Sequence, residues 1–255
     1  MKTKSREPDK EPRARTIQSF KSVFDKAAYG NSYEQTFDDF LTICICCFTR
    51  NFKTGLSHYE DEYLRVIEPY KALGTLKYLP ILLAELILYM EENMDNSQGN
   101  DLLGTFFEQE ISRGRNGQFF TPFHVCQLMT QLTRGEETKS MRVLDPCCGS
   151  GRMLLAFEKG SKCKHAYYGI DIDPRCVKMT AINLFLNGQC GEVVCGDALA
   201  HNDFKFGYEI SILSLGIFKI VEMETSTIWK SQRTTNSTSN PHEQKKPPQS
   251  QLELF

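Results

Sequence analysis

The run M-R-V-L-D-P-C-C-G-S-G, from Met141 to Gly151, decides the fold of this 255-residue chain. A short apolar strand leads into an acid, a proline and two glycines, and the segment Arg152 to Lys159, closed by Gly160, then predicts a helix. The glycines let the backbone approach a bound molecule closely, and the helix directs its N-terminus at the same place. The pattern therefore predicts a small-molecule pocket at the end of a strand.

The acid in this run, Asp145, favours one class of ligand. A carboxylate beside the turn repels a pyrophosphate but attracts a cationic amino-acid end. The glycine spacing G-S-G-R-M-L also lacks the third glycine of the nicotinamide-dinucleotide fingerprint. Both observations favour S-adenosyl-L-methionine (SAM) over a dinucleotide as the cofactor.

The residues that follow predict a doubly wound α/β sheet. His165 to Asp171 predicts a second strand, which ends 26 residues after Asp145 at an acid that can bind the two ribose hydroxyls. A helix that begins near Pro174 comes next. Glu192 to Cys195 predicts a third strand, and it leads to Asp197, whose carboxylate can accept a hydrogen bond from an adenine amino group.

With these motifs the chain resembles the N-6 adenine-specific DNA methylases typified by the modification subunits of type I restriction systems. Upstream, G-Q-F-F-T-P (Gly117 to Pro122) is similar to the family's segment that closes over the methionine end of SAM. The motifs occur in the family's order, and the resemblance spans about half of the chain. It implies cofactor contacts by Phe120, Thr121, Pro122, Asp145, Pro146, Gly149, Gly151, Asp171, Ile172, Asp197 and Ala198.

The family's catalytic tetrapeptide, an Asn, Asp or Ser followed by two prolines and an aromatic residue, is degenerate here. Tyr208 to Leu213 predicts the fourth strand, so the slot is Ser214 to Ile217, with Phe218 one place late and both prolines lost. In the family this tetrapeptide accepts hydrogen bonds from the adenine amine and stacks on the flipped base. Ser214 and Phe218 are therefore the candidate catalytic residues.

Two functions remain open at this point. The resemblance implies a SAM-dependent, adenine-specific (N-6) DNA methyltransferase of a DNA-methylation or restriction-modification system, which acts on DNA with a specificity or completing subunit. The alternative is a catalytically inactive, SAM-binding and DNA-associated module that needs a partner. Because 37 residues follow Phe218, we expect a sheet that is incomplete at its C-terminal side, with an edge that a partner or a second copy covers.

Composition divides the chain into four segments. Residues 1–15 carry six Lys or Arg and three acids and predict a disordered arm. Residues 16–112 show apolar spacings of three and four and predict a helical N-terminal domain. Residues 113–230 form the expected Rossmann-like, SAM-dependent methyltransferase domain. Residues 231–255 are polar and predict a disordered tail.

The tail ends in an apolar peptide, Gln251-Leu252-Glu253-Leu254-Phe255. It resembles a bacterial sliding-clamp-binding peptide, and this resemblance implies that Gln251, Leu252, Leu254 and Phe255 dock in a groove on the replication clamp. The alternative is a chance apolar end on a polar tail.

Charge and cysteine usage add two expectations. Residues 16–110 carry 7 basic and 15 acidic side chains, whereas residues 111–180 carry 11 and 6, so the pocket side is the basic side. The ten cysteines lack metal-ligand spacing, and we expect reduced thiols in a cytoplasmic protein with no metal site and no membrane span. The candidate phosphate contacts are Arg113, Arg115, Arg134, Arg142 and Arg152.

Overall fold

The computed structural model describes residues 15–49, 59–93, 100–114, 118–135, 139–200, 203–236 and 253–254. Helices fill the described part of the first half. Polar caps begin two of them: Thr16 and Ser19 form a capping box, and the Ser32 hydroxyl accepts a hydrogen bond from the Gln35 N–H. The helices are α1 (Ile17–Ala27), α2 (Tyr33–Cys47), α3 (Glu60–Ala72), α4 (Tyr78–Glu92) and α5 (Leu102–Phe106), which continues as a π-helix over Phe107–Ser112.

In the described part of the second half, a six-stranded sheet and four further α-helices follow. The strands are β1 (Arg142–Asp145), β2 (Ala166–Asp171), β3 (Cys190–Gly196), β4 (Phe204–Ser211), β5 (Gly216–Lys219) and β6 (Glu253–Leu254). Their order across the sheet is β5-β4-β3-β2-β1-β6, with β1, β2, β3 and β6 parallel and with β4 and β5 antiparallel to their neighbours. The helices are α6 (Phe123–Thr133), α7 (Arg152–Lys159), α8 (Pro174–Leu186) and α9 (Thr227–Asn236). The predicted α/β class is confirmed.

Side chains of the central strands alternate between two cores, as the two-residue period of a strand requires. On one face, Val143 and Tyr167 join a large core that also contains residues of α1, α2, α5, α7 and α8. On the other face, Leu144 and Tyr168 join a smaller core that Ile228 of α9 covers. The predicted helical N-terminal domain and the predicted methyltransferase domain therefore share one core.

Helix α9 corrects the prediction for the start of the tail. The helix extends to Asn236, so the prediction of disorder from residue 231 is wrong over residues 231–236. The buried Glu192 carboxylate accepts hydrogen bonds from the Ser226 hydroxyl and, at 2.8 Å, from the Thr227 N–H, which satisfies the free N–H groups at the start of the helix. A long-range contact thus stabilises a helix that the local composition does not favour.

The outer edge of β1 carries the short strand β6. Glu253 lies opposite Val143, and Leu254 lies opposite Leu144, in parallel orientation. Part of the predicted clamp-binding peptide therefore lies along the sheet, whereas Gln251, Leu252 and Phe255 lie outside the described residues.

Two further observations concern the described residues as a set. No helix among them is long and apolar enough to cross a bilayer. They also contain no group of three or more His, Cys, Asp or Glu side chains placed to hold a metal ion.

Candidate functional site

Three acids lie at one edge of the sheet, where the parallel strands end. β1 ends at Asp145, β2 ends at Asp171, and Asp197 follows the last residue of β3. The register places Asp145 opposite Gly169 and Asp171 opposite Cys195, so the strand ends lie side by side. Ligands of open α/β sheets bind in the crevice outside the carboxyl ends of the strands. The structure thus gathers the predicted acids where a ligand is expected.

The glycine-rich turn after β1 is held by β2 and α8. The Gly149 N–H donates to Oδ2 of Asp171 at 2.8 Å, and the Thr180 hydroxyl donates to the Gly149 carbonyl at 2.9 Å. Gly149 (φ +55°) and Gly151 (φ +87°) have left-handed backbone conformations, which glycine adopts without strain. Asp171 therefore shapes the turn in addition to any contact with a ligand.

Phe120 of the Phe-Thr-Pro segment packs directly on this turn. A Cβ atom at Gly149 would lie 2.9 Å from the Phe120 ring. The Phe120 N–H donates to Oε1 of Glu108 at 2.8 Å, which holds the segment in place. Thr121 and Pro122 are exposed, and Pro122 directly precedes α6. The segment and the turn thus form two facing walls.

A cavity of about 180 Å³ lies between these walls. Its buried carboxylate is Asp145, which is 9% exposed and accepts a hydrogen bond from the Cys147 N–H at 3.0 Å. Burial, together with the nearby charge of Asp171, raises the pKa of Asp145 to about 6. The volume is below the ~300–1,000 Å³ of pockets that enclose a whole drug-sized ligand. The cavity therefore fits one end of a ligand. A cationic end would stabilise the ionised form of the Asp145 carboxylate.

The other predicted contacts lie along the same edge, outside this cavity. Burial raises the pKa of the half-buried Asp171, and two backbone N–H groups donate to its carboxylate. Ile172 beside it is 65% exposed. Oδ1 of Asp197 accepts from the Leu199 N–H at 2.9 Å, and Ala198 packs against the smaller core. Each carboxylate keeps lone pairs for further hydrogen bonds, so this part of the edge fits the polar groups of a nucleoside.

The candidate catalytic residues Ser214 and Phe218 are not brought to this edge. Residues 197–203 connect β3 to β4, and seven residues are too few for a parallel crossover, which needs a dozen or more. β4 therefore returns antiparallel along β3, with Ile210 opposite Gly191 at the start of β3. The turn with Ser214 follows, roughly 16 Å from the acids at about 3.3 Å per residue. This placement corrects the expectation drawn from the resemblance.

Arg152, expected to contact phosphate, is buried beside the turn instead. Its guanidinium pairs with Asp101 at 2.6 Å and with Glu108 at 2.8 Å. Neither acid is among the predicted site residues, because both lie on an earlier segment for which only a helix is predicted. One signal was present: a charged residue at the start of a core-packed helix needs a buried partner of opposite charge.

Two other arginines on the basic side also contact protein groups. Arg113 pairs with Glu110 at 3.6 Å, and Arg134 donates to the Phe157 carbonyl and lies over the Phe157 ring. Arg115 lies outside the described residues. The sequence count of basic residues therefore overstates the number of cations left to contact a phosphate.

Comparison with known proteins identifies the family. A family model described as N-6 DNA methylase matches residues 98–242, which is more than half of the chain. The chain belongs to the N-6 DNA methylase family. The cofactor of this family is SAM, and the donor set here fits it, because a buried carboxylate faces a cavity sized for the amino-acid end and two acids continue along the edge.

Individual relatives of this chain are similar to it over part of their length. The type I restriction enzyme MjaIX methylase subunit of Methanocaldococcus jannaschii is 32% identical over 110 residues, which are 41% of this chain and 18% of the relative. The type II restriction enzyme and methyltransferase RM.BcgI of Heyndrickxia coagulans is 28% identical over 147 residues, which are 51% and 22%. The chain thus spans about a fifth of the length of these curated relatives.

Similarity to solved structures is more distant. The methyltransferase subunit of a type I restriction-modification system from Streptococcus thermophilus is 16% identical with a TM-score of 0.39, covering 73% of this chain and 59% of that one. A similarity at this level carries no argument about the candidate site.

Proposed function

We propose that this chain binds SAM at the edge formed by β1, β2 and β3 and takes part in the N-6 methylation of adenine in DNA. The observation that carries the proposal is the convergence of Asp145, Asp171 and Asp197 beside a glycine turn that Phe120 covers. Asp145 binds the ammonium group, Asp171 the ribose hydroxyls and Asp197 the adenine amino group. Bound SAM supplies a methyl group on a cationic sulfonium, and the chain's own residues orient that end and exclude water from it.

A partner supplies the groups that contact the target adenine. Within the described residues, β4 carries Ser214 away from the pocket, and the outer edge of β1 is paired only over Val143 and Leu144. Doubly wound sheets bind their ligand where the strand order reverses, beside the first strand. A completing or specificity subunit whose strand replaces β6 at β1 would bring its own side chains next to the cavity. The relative from Methanocaldococcus jannaschii is itself named as a subunit.

Two measurements test this proposal. We expect calorimetry to show SAM binding by the chain alone, and we expect tritiated-methyl transfer to unmethylated DNA to be very slow until a candidate partner subunit is added. Absence of SAM binding would contradict the cofactor site. Robust, sequence-specific methylation by the chain alone would contradict the need for a partner.

The clamp interaction of Gln251 to Phe255 stays a prediction. Pairing of β6 with β1 competes with it, because both interactions use the same peptide. Leu254 lies opposite Leu144 in the sheet, so the peptide must leave the edge of β1 before it can dock elsewhere. A fluorescence-polarisation titration of residues 249–255 against a bacterial sliding clamp tests it. Binding to the clamp no tighter than that of a peptide with Leu254→Ala and Phe255→Ala would contradict the prediction.

A further inference from the structure

A buried charge cluster joins the helical segment to the cofactor cavity. Arg152, the first residue of α7, is 9% exposed and donates from Nε to Oδ2 of Asp101 at 2.6 Å. Its Nη2 pairs with Oε2 of Glu108 at 2.8 Å and donates to the Thr105 hydroxyl at 3.2 Å. Both acids belong to the segment that contains α5 and the π-helix. One guanidinium fork therefore bridges two carboxylates, a geometry that a lysine cannot reproduce.

Asp101 fixes the glycine turn from the helical side. Its Oδ2 accepts a hydrogen bond from the Ser150 hydroxyl at 2.6 Å. Its Oδ1 accepts from the Gly104 N–H and from Nδ2 of Asn183 on α8, each at 2.8 Å. A Cβ atom at Gly104 would lie 2.3 Å from the Ser150 hydroxyl, so α5 and the turn are in close contact. The turn is thus held by a residue outside the predicted methyltransferase domain.

Glu108 connects the same cluster to the opposite wall of the cavity. Its Oε1 accepts from the Phe120 N–H at 2.8 Å, while its Oε2 pairs with Arg152. The Phe120 ring stacks on Phe107 with a centroid distance of 5.6 Å, and the Arg152 guanidinium lies 5.5 Å from the Phe120 centroid. A carboxylate with one oxygen on each wall sets the spacing between them.

We propose that Asp101, Glu108 and Arg152 are positioning residues, which hold the glycine turn and the Phe-Thr-Pro segment at the separation that the amino-acid end of SAM requires. The proposal rests on the proposed function, since it assumes that the cavity receives that end. It makes the helical segment part of the cofactor site rather than a separate packing domain.

The decisive variant is Glu108→Gln, because the amide oxygen keeps an acceptor for the Phe120 N–H while the charge opposite Arg152 is lost. Glu110→Gln is the matched control. Glu110 lies two residues later on the same π-helix and also makes ion pairs, with Lys21 at 3.1 Å and with the exposed Arg113 at 3.6 Å, but these pairs involve neither wall of the cavity. Arg152→Lys is the second test variant, because it keeps the charge and loses the fork.

Two ligands separate positioning from a general loss of stability. SAM would occupy both the cavity and the part of the site that contains Asp171 and Asp197. Methylthioadenosine lacks the amino-acid end and would occupy only the second part. We expect Glu108→Gln and Arg152→Lys to weaken SAM binding at least tenfold by calorimetry, to leave methylthioadenosine binding within twofold, and we expect Glu110→Gln to change neither. Equal weakening of both ligands, or an unchanged SAM constant, would overturn the proposal.

A ligand-free measurement keeps the two proposals distinguishable. Hydrogen exchange followed by mass spectrometry reports on peptides that cover residues 118–123 and 147–152. We expect faster exchange in both peptides for Glu108→Gln and unchanged exchange for Glu110→Gln. Failure of the wild-type chain to bind SAM, with this exchange difference still observed, would contradict the proposed function. That result would nevertheless support the coupling of the glycine turn to the Phe-Thr-Pro segment through Glu108. Unchanged exchange in Glu108→Gln would overturn the coupling itself.

Discussion

The parallel strands β1 to β3 and the hairpin β4–β5 belong to one sheet, but they place their polar residues at opposite edges. Helices α7 and α8 connect the parallel strands, so each strand ends at the same edge and gathers Asp145 and Asp171 there. Short connections lead into β4 and β5, so the hairpin turn carries Ser214 to the other edge. Connection length therefore decides which residues reach the pocket, because only a crossover helix returns the chain to the same edge.

The largest effect is expected at the turn that follows β1. Gly149→Ala places a Cβ atom 2.9 Å from the Phe120 ring at a residue with φ +55°. The ring must move, and the wall that it forms moves with it, so we expect SAM binding to fall at least a hundredfold. Calorimetry measures this change directly.

Gly188→Ala is the matched control for backbone strain. Gly188 also has a left-handed conformation (φ +69°), but its Cβ atom would meet nothing within 4 Å. Both variants carry the left-handed penalty of about 1–2 kcal/mol, so both should lower the melting temperature. Only Gly149→Ala should lose SAM. Equal loss of SAM binding in the two variants would show that strain, rather than contact with Phe120, is responsible.

The second effect is expected at the end of β2. Asp171→Ala removes the proposed ribose acceptor and also the acceptor for the Gly149 N–H. Hydrogen bonds to a charged group contribute about 1.5–3 kcal/mol each, so SAM affinity should fall roughly ten- to a hundredfold. An unchanged dissociation constant for SAM would mean that the ends of the parallel strands do not bind the ribose.

The sequence predicts features whose determinants are local. Glycines and a strand-end acid define the helix Arg152–Lys159, and the structure confirms both of its ends. Features that depend on distant residues are missed. The burial of Arg152 requires Asp101, which directly precedes α5, and α9 requires the carboxylate of Glu192. The antiparallel orientation of β4 is predictable from the sequence once the ends of β3 and β4 are known, because the seven residues 197–203 are too few for a parallel crossover.

The third effect concerns Asp145 and has opposite signs for stability and for binding. Burial raises its pKa from 3.8 to about 6 in the folded protein. The folded state therefore holds the proton more tightly than the unfolded state, and stability from this group is lost as pH rises from about 4 to 6. The shift of about two pKa units corresponds to roughly 3 kcal/mol at neutral pH. Asp145→Asn should thus raise the melting temperature at pH 7.5.

The same substitution should weaken SAM binding, because the amide no longer attracts an ammonium group. We expect a loss of roughly tenfold at pH 7.5, the difference between a charged and a neutral hydrogen bond. In the wild type, SAM affinity should fall as pH drops through about 6, whereas Asp145→Asn should show no such dependence. Calorimetry between pH 5 and pH 7.5 separates the two proteins. A variant that binds SAM like the wild type at every pH would place the ammonium elsewhere.

The smallest effect is expected for Ser214→Ala, which changes the turn of the β4–β5 hairpin at the opposite edge of the sheet. Ser214 is exposed, and its described hydrogen bond uses only the backbone N–H, which donates to the Ser211 hydroxyl at 3.1 Å. Removing its side chain should leave stability within about 0.5 kcal/mol, as for other surface substitutions. SAM affinity and methyl transfer in the presence of a partner should stay within about twofold of the wild type. Asp171→Ala, assayed beside it, shows the size of a genuine site effect. Loss of transfer in Ser214→Ala with SAM binding intact would mean that the hairpin leaves β3 to reach the target base, and that the sheet order described here is not the catalytic one.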